Sequence, residues 1–316
     1  MRRCLEACRR LRLIAGIMLC GFAGRAQPLS PPDTVVPGRV WTVAGAGIAL
    51  YGGSLLLLNQ YWYKNYPRSH FHFFNDGPEW YQMDKAGHAF TTYTLSRYAT
   101  SVWEWTGMTP RKSAWIGTLT GFGYQTVVEI LDGYSAQWGF SAEDMLANAA
   151  GGALLAAQQL TWGEQRIQLK FSAHTESYRR DPVLHRRAET LFGAPFMENI
   201  LKDYNTQTYW LSVNLRACLP GSNLPPWLNL AFGYGGKNMF GGRDNIWTDD
   251  EGIHRDYSHL PRLRQFYVSP DIDFTKIHSR HKAVRVLLQV LNTIKIPAPA
   301  LEITSKGKAR FHPLYF

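Results

Sequence analysis

Cysteine is nearly missing from the body of this chain. Of four cysteines in 316 residues, Cys4, Cys8 and Cys20 crowd the first twenty positions and Cys218 stands alone after them. No intrachain disulfide and no Cys-x-x-Cys pair can be built from residue 27 onward. Other signatures are missing too. There is no Gly-x-Ser-x-Gly elbow, no His-Glu-x-x-His, no phosphate-binding glycine loop, no Lys/Arg run and no nucleic-acid motif. Nothing linear therefore names an enzyme class, and no nucleic-acid partner is expected. No internal repeat or low-complexity tract is visible. Disorder is excluded as well, because the chain is 45% hydrophobic and 14% aromatic with only 18% charged residues.

Charge is present but unevenly placed. The net charge is +10. Residues 1–12 hold five Arg and one Glu, residues 13–163 eight basic and nine acidic side chains, and residues 164–316 twenty-one basic and fourteen acidic ones. The basic C-terminal half could face anionic lipid headgroups or simply be a solvated surface. Residues 1–26 have the plan of a secretory signal: an Arg-rich start, the apolar run LIAGIMLCGFAG, and small residues before Gln27. Cys20 is preceded by Leu19, where a lipoprotein signal wants a small residue.

A Pro-rich leader, 27–38, comes next. Residues 40–58 (VWTVAGAGIALYGGSLLLL) carry no charge, long enough for a membrane helix, and Tyr61, Trp62 and Tyr63 follow like an interfacial belt. Three milder helices are expected over 83–105, 110–131 and 141–162. Thr109-Pro110 starts the second, and Ser141 with Asp144 starts the third as a capping-box pattern. Gly117/Gly121 and Ala147/Gly151 give the small-xxx-small spacing that lets helices approach closely. The four are expected to form one membrane or membrane-associated bundle over 39–163. A C-terminal region, 164–316, follows. TYWLSVNLRA and WLNLAFGYG alternate as strands, YVSPDIDFTKI and APALEIT are further strands, and HKAVRVLLQVLNTI has helical spacing. The fold class is thus α+β, a helical bundle followed by a mixed, partly antiparallel sheet region. Its alternating faces could meet lipid or a partner.

The polar residues of the bundle recur at helical spacing. Asp84 and His88 share a face beside Lys85, Gln125, Glu129 and Asp132 form a ladder, and Asp144 pairs with Asn148. If the helix ends meet, these groups form one cluster. His88 could serve as a base, with Glu129 and Asp144 as acids or, together with His88, as metal ligands. Asp84, Lys85, Gln125, Asp132 and Asn148 would bind or fix the site. A purely structural ion network is the competing reading. The cofactor, if any, stays open.

The run DKAGH, then QTVVEILDGYSAQWG, then SAEDMLANAAGG resembles the YfiM-like family of predicted envelope lipoproteins, and more distantly VanZ-like membrane proteins. Asp84, Lys85, His88, Glu129, Asp144, Asn148 and Gly151 or Gly152 are the matching positions. FHFFNDGPEWYQMDK, WGEQRIQLKFSAH, LKDYNTQTYWLSVNL and KIPAPALEI resemble a longer branch. The resemblance implies an exported envelope protein and brings no activity with it. The expectation is a membrane-associated protein with lipid as partner and a second envelope protein as a further candidate. The outer membrane suits it better than the inner, because four spans would break the positive-inside rule. A membrane-embedded hydrolase or transferase acting on a lipid-linked or cell-wall substrate is the alternative.

Overall fold

A computed structural model describes residues 34–63, 66–193 and 196–316. The expected signal segment and most of the Pro-rich leader lie outside the described residues, as do the side chains of Tyr61 and Trp62.

Helix α1 (Pro37–Leu58) starts with proline in its first turn and runs into a π-helical turn, Asn59–Tyr63. None of its residues is buried, and among the described residues it alone is long and apolar enough to cross a membrane. Its ties to the bundle include Val36 N–H donating to Thr106 O, Arg39 donating to Trp105 O and lying over its ring, and the Tyr51 hydroxyl donating to Gly123 O.

The other three helices, α2 (Met83–Trp105), α3 (Pro110–Gly133) and α4 (Ala142–Thr161), pack as one bundle. Thr109 caps α3 and Ser141 caps α4, each side chain accepting the N–H three residues on. The reciprocal half of the expected capping box is not made by Asp144. Ser141 N–H instead donates to Glu129 of α3, at 3.2 Å. The bundle is tight because its contacts are glycines. A Cβ on Gly117 would sit 2.1 Å from Thr100 Oγ1, one on Gly121 2.3 Å from Ser96 Oγ, and one on Gly151 2.1 Å from the Ala89 carbonyl oxygen. Of the four helices expected to form one membrane or membrane-associated bundle, α2–α4 pack as a unit and α1 lies at its edge.

The C-terminal region holds a six-stranded sheet in the order β1-β2-β3-β6-β7-β8: β1 (Ile167–Ala173), β2 (Gln207–Asn214), β3 (Leu228–Lys237), β6 (Leu263–Ile272), β7 (Ala298–Thr304) and β8 (Ala309–Tyr315). Every pairing in it is antiparallel, so the expected mixed character is absent. A hairpin of β4 (Ile246–Thr248) and β5 (His254–Asp256) forms a separate two-stranded sheet. Between β1 and β2 lie α5 (Pro182–Phe192) and α6 (Phe196–Lys202), and between β6 and β7 lies α8 (Lys282–Leu291). The strand expected to run through Ala217 stops at Asn214, whose side chain caps a helical turn, α7 (Leu215–Cys218).

The sheet is inverted relative to an ordinary soluble sheet. Its concave face carries polar groups and is buried. Lys170 and Asp271 pair at 2.7 Å with both side chains fully out of water. Ser212 donates to Asp271, Asn229 to Ser212, Asn214 to Asn229, Gln265 to Glu302, and Trp210 Nε1–H to Ser172. Burial of such groups demands partners, and the network supplies most of them, leaving Asp271 Oδ1 buried without a hydrogen bond. The sheet curls around these side chains. Tyr315 of β8 reaches Thr208 of β2 at 3.0 Å and stacks on Tyr267 at 4.4 Å between centroids.

The convex face is apolar. Register alignment makes one continuous row of Leu169, Leu211, Phe232, Val268, Leu301 and Phe311, one residue from each strand. Phe171, Tyr209, Tyr234, Phe266, Ile303 and Ala309 form a second row. Ile167, Val213, Leu230 and Pro270 form a third. The bundle packs on the β1–β2 end, where Phe90 meets Phe171 and Tyr209 and where Gly87 approaches the Tyr209 hydroxyl, and the turn before α2 reaches β3 and β6 through Tyr81, whose carbonyl takes hydrogen bonds from Tyr234 and Arg264.

Candidate functional site

The site is set by the start of α2. Residues 80–82 hold a left-handed backbone, which turns the chain sharply before Met83. Asp84, Lys85 and His88 thereby enter the bundle from one helix end. The loop before it runs back along 133–140, with His72 N–H bonded to Gly133 O and Phe74 N–H to Phe140 O, and this delivers Asp76 to the same place.

Lys85 Nζ lies 2.6 Å from Asp76, 2.9 Å from Asp144 and 3.2 Å from Asp84. His88 Nε2 faces Asp84 at 3.7 Å and Asp144 at 4.0 Å. Its Nδ1 faces Asn148 Oδ1 at 3.2 Å, Gln125 Nε2 at 3.3 Å and Glu129 at 3.5 Å. One nitrogen cannot both donate to Asn148 and accept from Gln125, so the tautomer selects one of these bonds. The Thr92 hydroxyl also donates to Asn148 Oδ1, at 3.0 Å. Tyr204, which lies in the turn before β2, donates its hydroxyl to Asp84 Oδ1 at 2.9 Å, tying the cluster to the C-terminal region.

The cluster has more acids than bases, and the protonation follows from that. Burial pushes the Glu129 carboxyl up, with Asp132 adding to it, to about 8, although the Ser141 N–H favours the ionised form. Asp144 is pushed up by burial first and by the charge on Asp84 second, against Lys85. Burial works in the same direction on Asp84, but His88, Lys85 and the Tyr204 hydroxyl outweigh it and hold that carboxyl low. Lys85 is held as a cation: burial opposes its charge, and Asp84 and Asp144 overcome that.

Every site residue expected from helical spacing has a place in or beside this arrangement. Asp84, Lys85, His88, Gln125, Glu129, Asp144 and Asn148 meet within it. Asp132 is turned toward Tyr63, whose hydroxyl donates to it at 2.7 Å. Three partners were not legible. Asp76 sits in an Asn-Asp-Gly turn with no helical period. Ser141 reads as a cap and also donates its hydroxyl to Asp76 at 2.7 Å. Tyr204 is 120 residues from Asp84 along the chain.

One ligand atom each from Asp84, His88 and Asp144 lie within 4.8 Å of one another, which is a possible cation seat. Glu129 Oε1 is buried without a hydrogen-bond partner and lies on the His88 side of it.

Residues 72–159 match the family model of a predicted periplasmic lipoprotein (DUF2279). The matched segment runs from the loop carrying Asp76 through α4, and it contains every charged member of the cluster around Lys85 and His88. It ends before β1, so the inverted sheet lies outside the similarity. The match fits an exported protein of the cell envelope with no assigned activity. No curated protein and no solved structure matches the chain.

Proposed function

We infer that this is a non-enzymatic protein of the cell envelope, held at a membrane by α1, in which the Lys85–His88 cluster fastens the bundle to the C-terminal sheet region. The reading rests on the saturation of Lys85. Its ammonium already has three carboxylates within 3.2 Å, one each from the loop, α2 and α4. The same Asp84 accepts from Tyr204 across the junction. A lysine so fully engaged is a fastening rather than a free catalytic group. The resemblance to YfiM-like envelope proteins supports the location, and the apolar, unburied α1 supports the membrane.

Melting and trypsin sensitivity of Lys85→Met and Tyr204→Phe test this. Lys85→Met should destabilise by about 1–3 kcal/mol, since three acids lose their cation and the wetter ones take up protons instead. Tyr204→Phe should lose about 1 kcal/mol, and both variants should gain cleavage sites between α4 and β2. Melting like the wild type in both variants would remove the fastening role.

A second reading has its own observation in Glu129 Oε1, buried and without a partner beside the Asp84–His88–Asp144 triplet. Here the cluster binds a divalent cation, and His88 acts as base in a hydrolase or transferase on a lipid-linked or cell-wall substrate. Elemental analysis of the purified protein beside His88→Ala and Glu129→Gln decides it. Near-stoichiometric metal, lost in variants that stay folded, would establish this reading over the first.

A further inference from the structure

We propose that the convex face of the six-stranded sheet is a lipid-contact surface that lies in the acyl region of one membrane leaflet. This surface is separate from α1 and does not depend on it.

The first argument is the inversion. Alternation along a strand fixes two faces, and packing ordinarily buries the apolar one. Here the polar face is buried: Lys170, Ser212, Asn229 and Asp271 are inside, each with partners. The apolar face is left bare, with Phe232, Phe266, Leu301 and Phe311 at 46, 47, 44 and 64% exposure. Strands that point polar groups inward and apolar groups outward are the mark of sheets solvated by lipid.

The second argument selects lipid over a protein. The three convex rows contain no charged side chain. Their two tyrosine hydroxyls are already committed within the chain, Tyr209 to Gln207 and Tyr234 to the Tyr81 carbonyl. A protein interface of ordinary kind needs a direct hydrogen bond every ~100–200 Å². These three rows offer almost none, and the guanidinium of Arg264, in the next row, is spent on Tyr81 and Tyr234; a bilayer interior asks for none.

The third argument is the rim. The β7–β8 hairpin places exposed Lys306 and Lys308 at one end of the apolar rows, and residues 303–316 contain no acid. A basic edge beside an apolar band suits anionic headgroups above acyl chains. Height sets the depth. Three rows two residues apart span ~14 Å along a strand. That is about half of a ~30 Å hydrocarbon core, so the face enters one leaflet and does not cross. Six strands around a filled interior also leave no pore, in contrast to the larger barrels that conduct.

The test uses the full chain with Cys4, Cys8, Cys20 and Cys218 changed to Ser, so that a single introduced cysteine can carry an environment-sensitive fluorophore. Val268→Cys, Leu301→Cys and Ile303→Cys report on the sheet, Ile48→Cys on α1, and Glu251→Cys on an aqueous loop. Each variant is kept only if its melting temperature matches the parent. The protein is reconstituted with vesicles of phosphatidylethanolamine and phosphatidylglycerol carrying nitroxides at shallow or deep acyl positions. The expected result is at least twofold quenching of the three sheet labels by shallow acyl nitroxides, weaker quenching by deep ones, and none at Glu251→Cys. Sheet labels quenched by aqueous iodide as strongly as Glu251→Cys, with only Ile48→Cys reached by lipid nitroxides, would overturn the proposal. Sheet labels shielded from both quenchers would overturn it too, since another protein surface would then cover the face. A lipid-quenched sheet with an aqueous Ile48→Cys label would uphold this surface and remove the anchoring role of α1.

Discussion

Lys85 and Lys170 are both taken out of bulk water, in different halves of the molecule, and their surroundings differ. Lys170 has one carboxylate, Asp271, at 2.7 Å, both side chains are fully buried, and the Ile272 carbonyl takes a further hydrogen bond from the ammonium. The pair is sealed, and buried Lys295 stands near enough to share the charge of Asp271. Lys85 has three carboxylates, remains 14% exposed, and sits in a cluster with more acids than it can neutralise. A sealed group of charges with no opening to water holds the sheet's interior together. A partly wet, acid-rich cluster can also exchange protons or admit a cation. That difference assigns stability to the sheet interior and any chemistry to the bundle.

The largest effect is expected where the seal is tightest. Asp271→Ala leaves a fully buried ammonium without its counter-charge and should destabilise by about 3–5 kcal/mol. The double variant Lys170→Met, Asp271→Leu should recover most of that loss, because an apolar pair of similar volume needs no desolvation. Chemical denaturation of the two variants measures both values. The comparison breaks if Asp271→Ala is no more damaging than Lys85→Met, because the sheet pair would then be as forgiving as the cluster.

Glycine separates the halves as well. In the bundle, a Cβ at Gly151 would meet the Ala89 carbonyl 2.1 Å away, and backbone cannot step aside. In the sheet, a Cβ at Gly233 would meet the Trp210 ring at 2.8 Å, a side chain rather than backbone and farther off than the 2.1 Å between the Ala89 oxygen and a Cβ on Gly151. Gly151→Ala should therefore cost about 2–3 kcal/mol, the upper part of the range for overpacking, and should separate α2 from α4 enough to loosen the Lys85–Asp144 contact. Gly233→Ala should cost about 1 kcal/mol. Paired thermal melts give the order, and a reversed order would mean that the bundle is the looser of the two.

The helices were legible because the local signals agree with one another. Thr109-Pro110 and Ser141 start α3 and α4, and the small-residue spacing marks the faces that touch. The acid ladder of α3 and the Asp84–His88 pair were legible for the same reason: a helix converts a spacing of four into a shared face. Strand alternation was legible in β2 and β3 but told only the period. Which face points inward is set by packing, and here it is the polar one. That also hid β1, where Leu169 and Phe171 alternate with Gln168, Lys170 and Ser172. Lys170 at mid-strand reads as solvent-facing, while the structure buries it fully. In β8, Pro313 interrupts the pattern, as proline does on an edge strand. Tyr204 could not be assigned to Asp84, since nothing in a linear sequence encodes a contact 120 residues long.

The smallest effect sharpens the contrast through pH. Asp132 lies at the margin of the bundle's acid cluster, and burial pushes its carboxyl up to about 7 although the Tyr63 hydroxyl stabilises its charge. A carboxyl raised in the folded state binds its proton more tightly there than in the unfolded chain. Its contribution is therefore fully present below the ordinary carboxylate pKa of ~4 and is lost as pH rises through about 7. Stability should fall between pH 5 and pH 8 in the wild type. Asp132→Asn, fixed in a neutral form, should flatten that slope by about 1–2 kcal/mol, a figure reduced for partial exposure. Melting curves at four pH values check it. A steeper slope in Asp132→Asn than in the wild type would reverse the sign and place the bundle's proton uptake on another group.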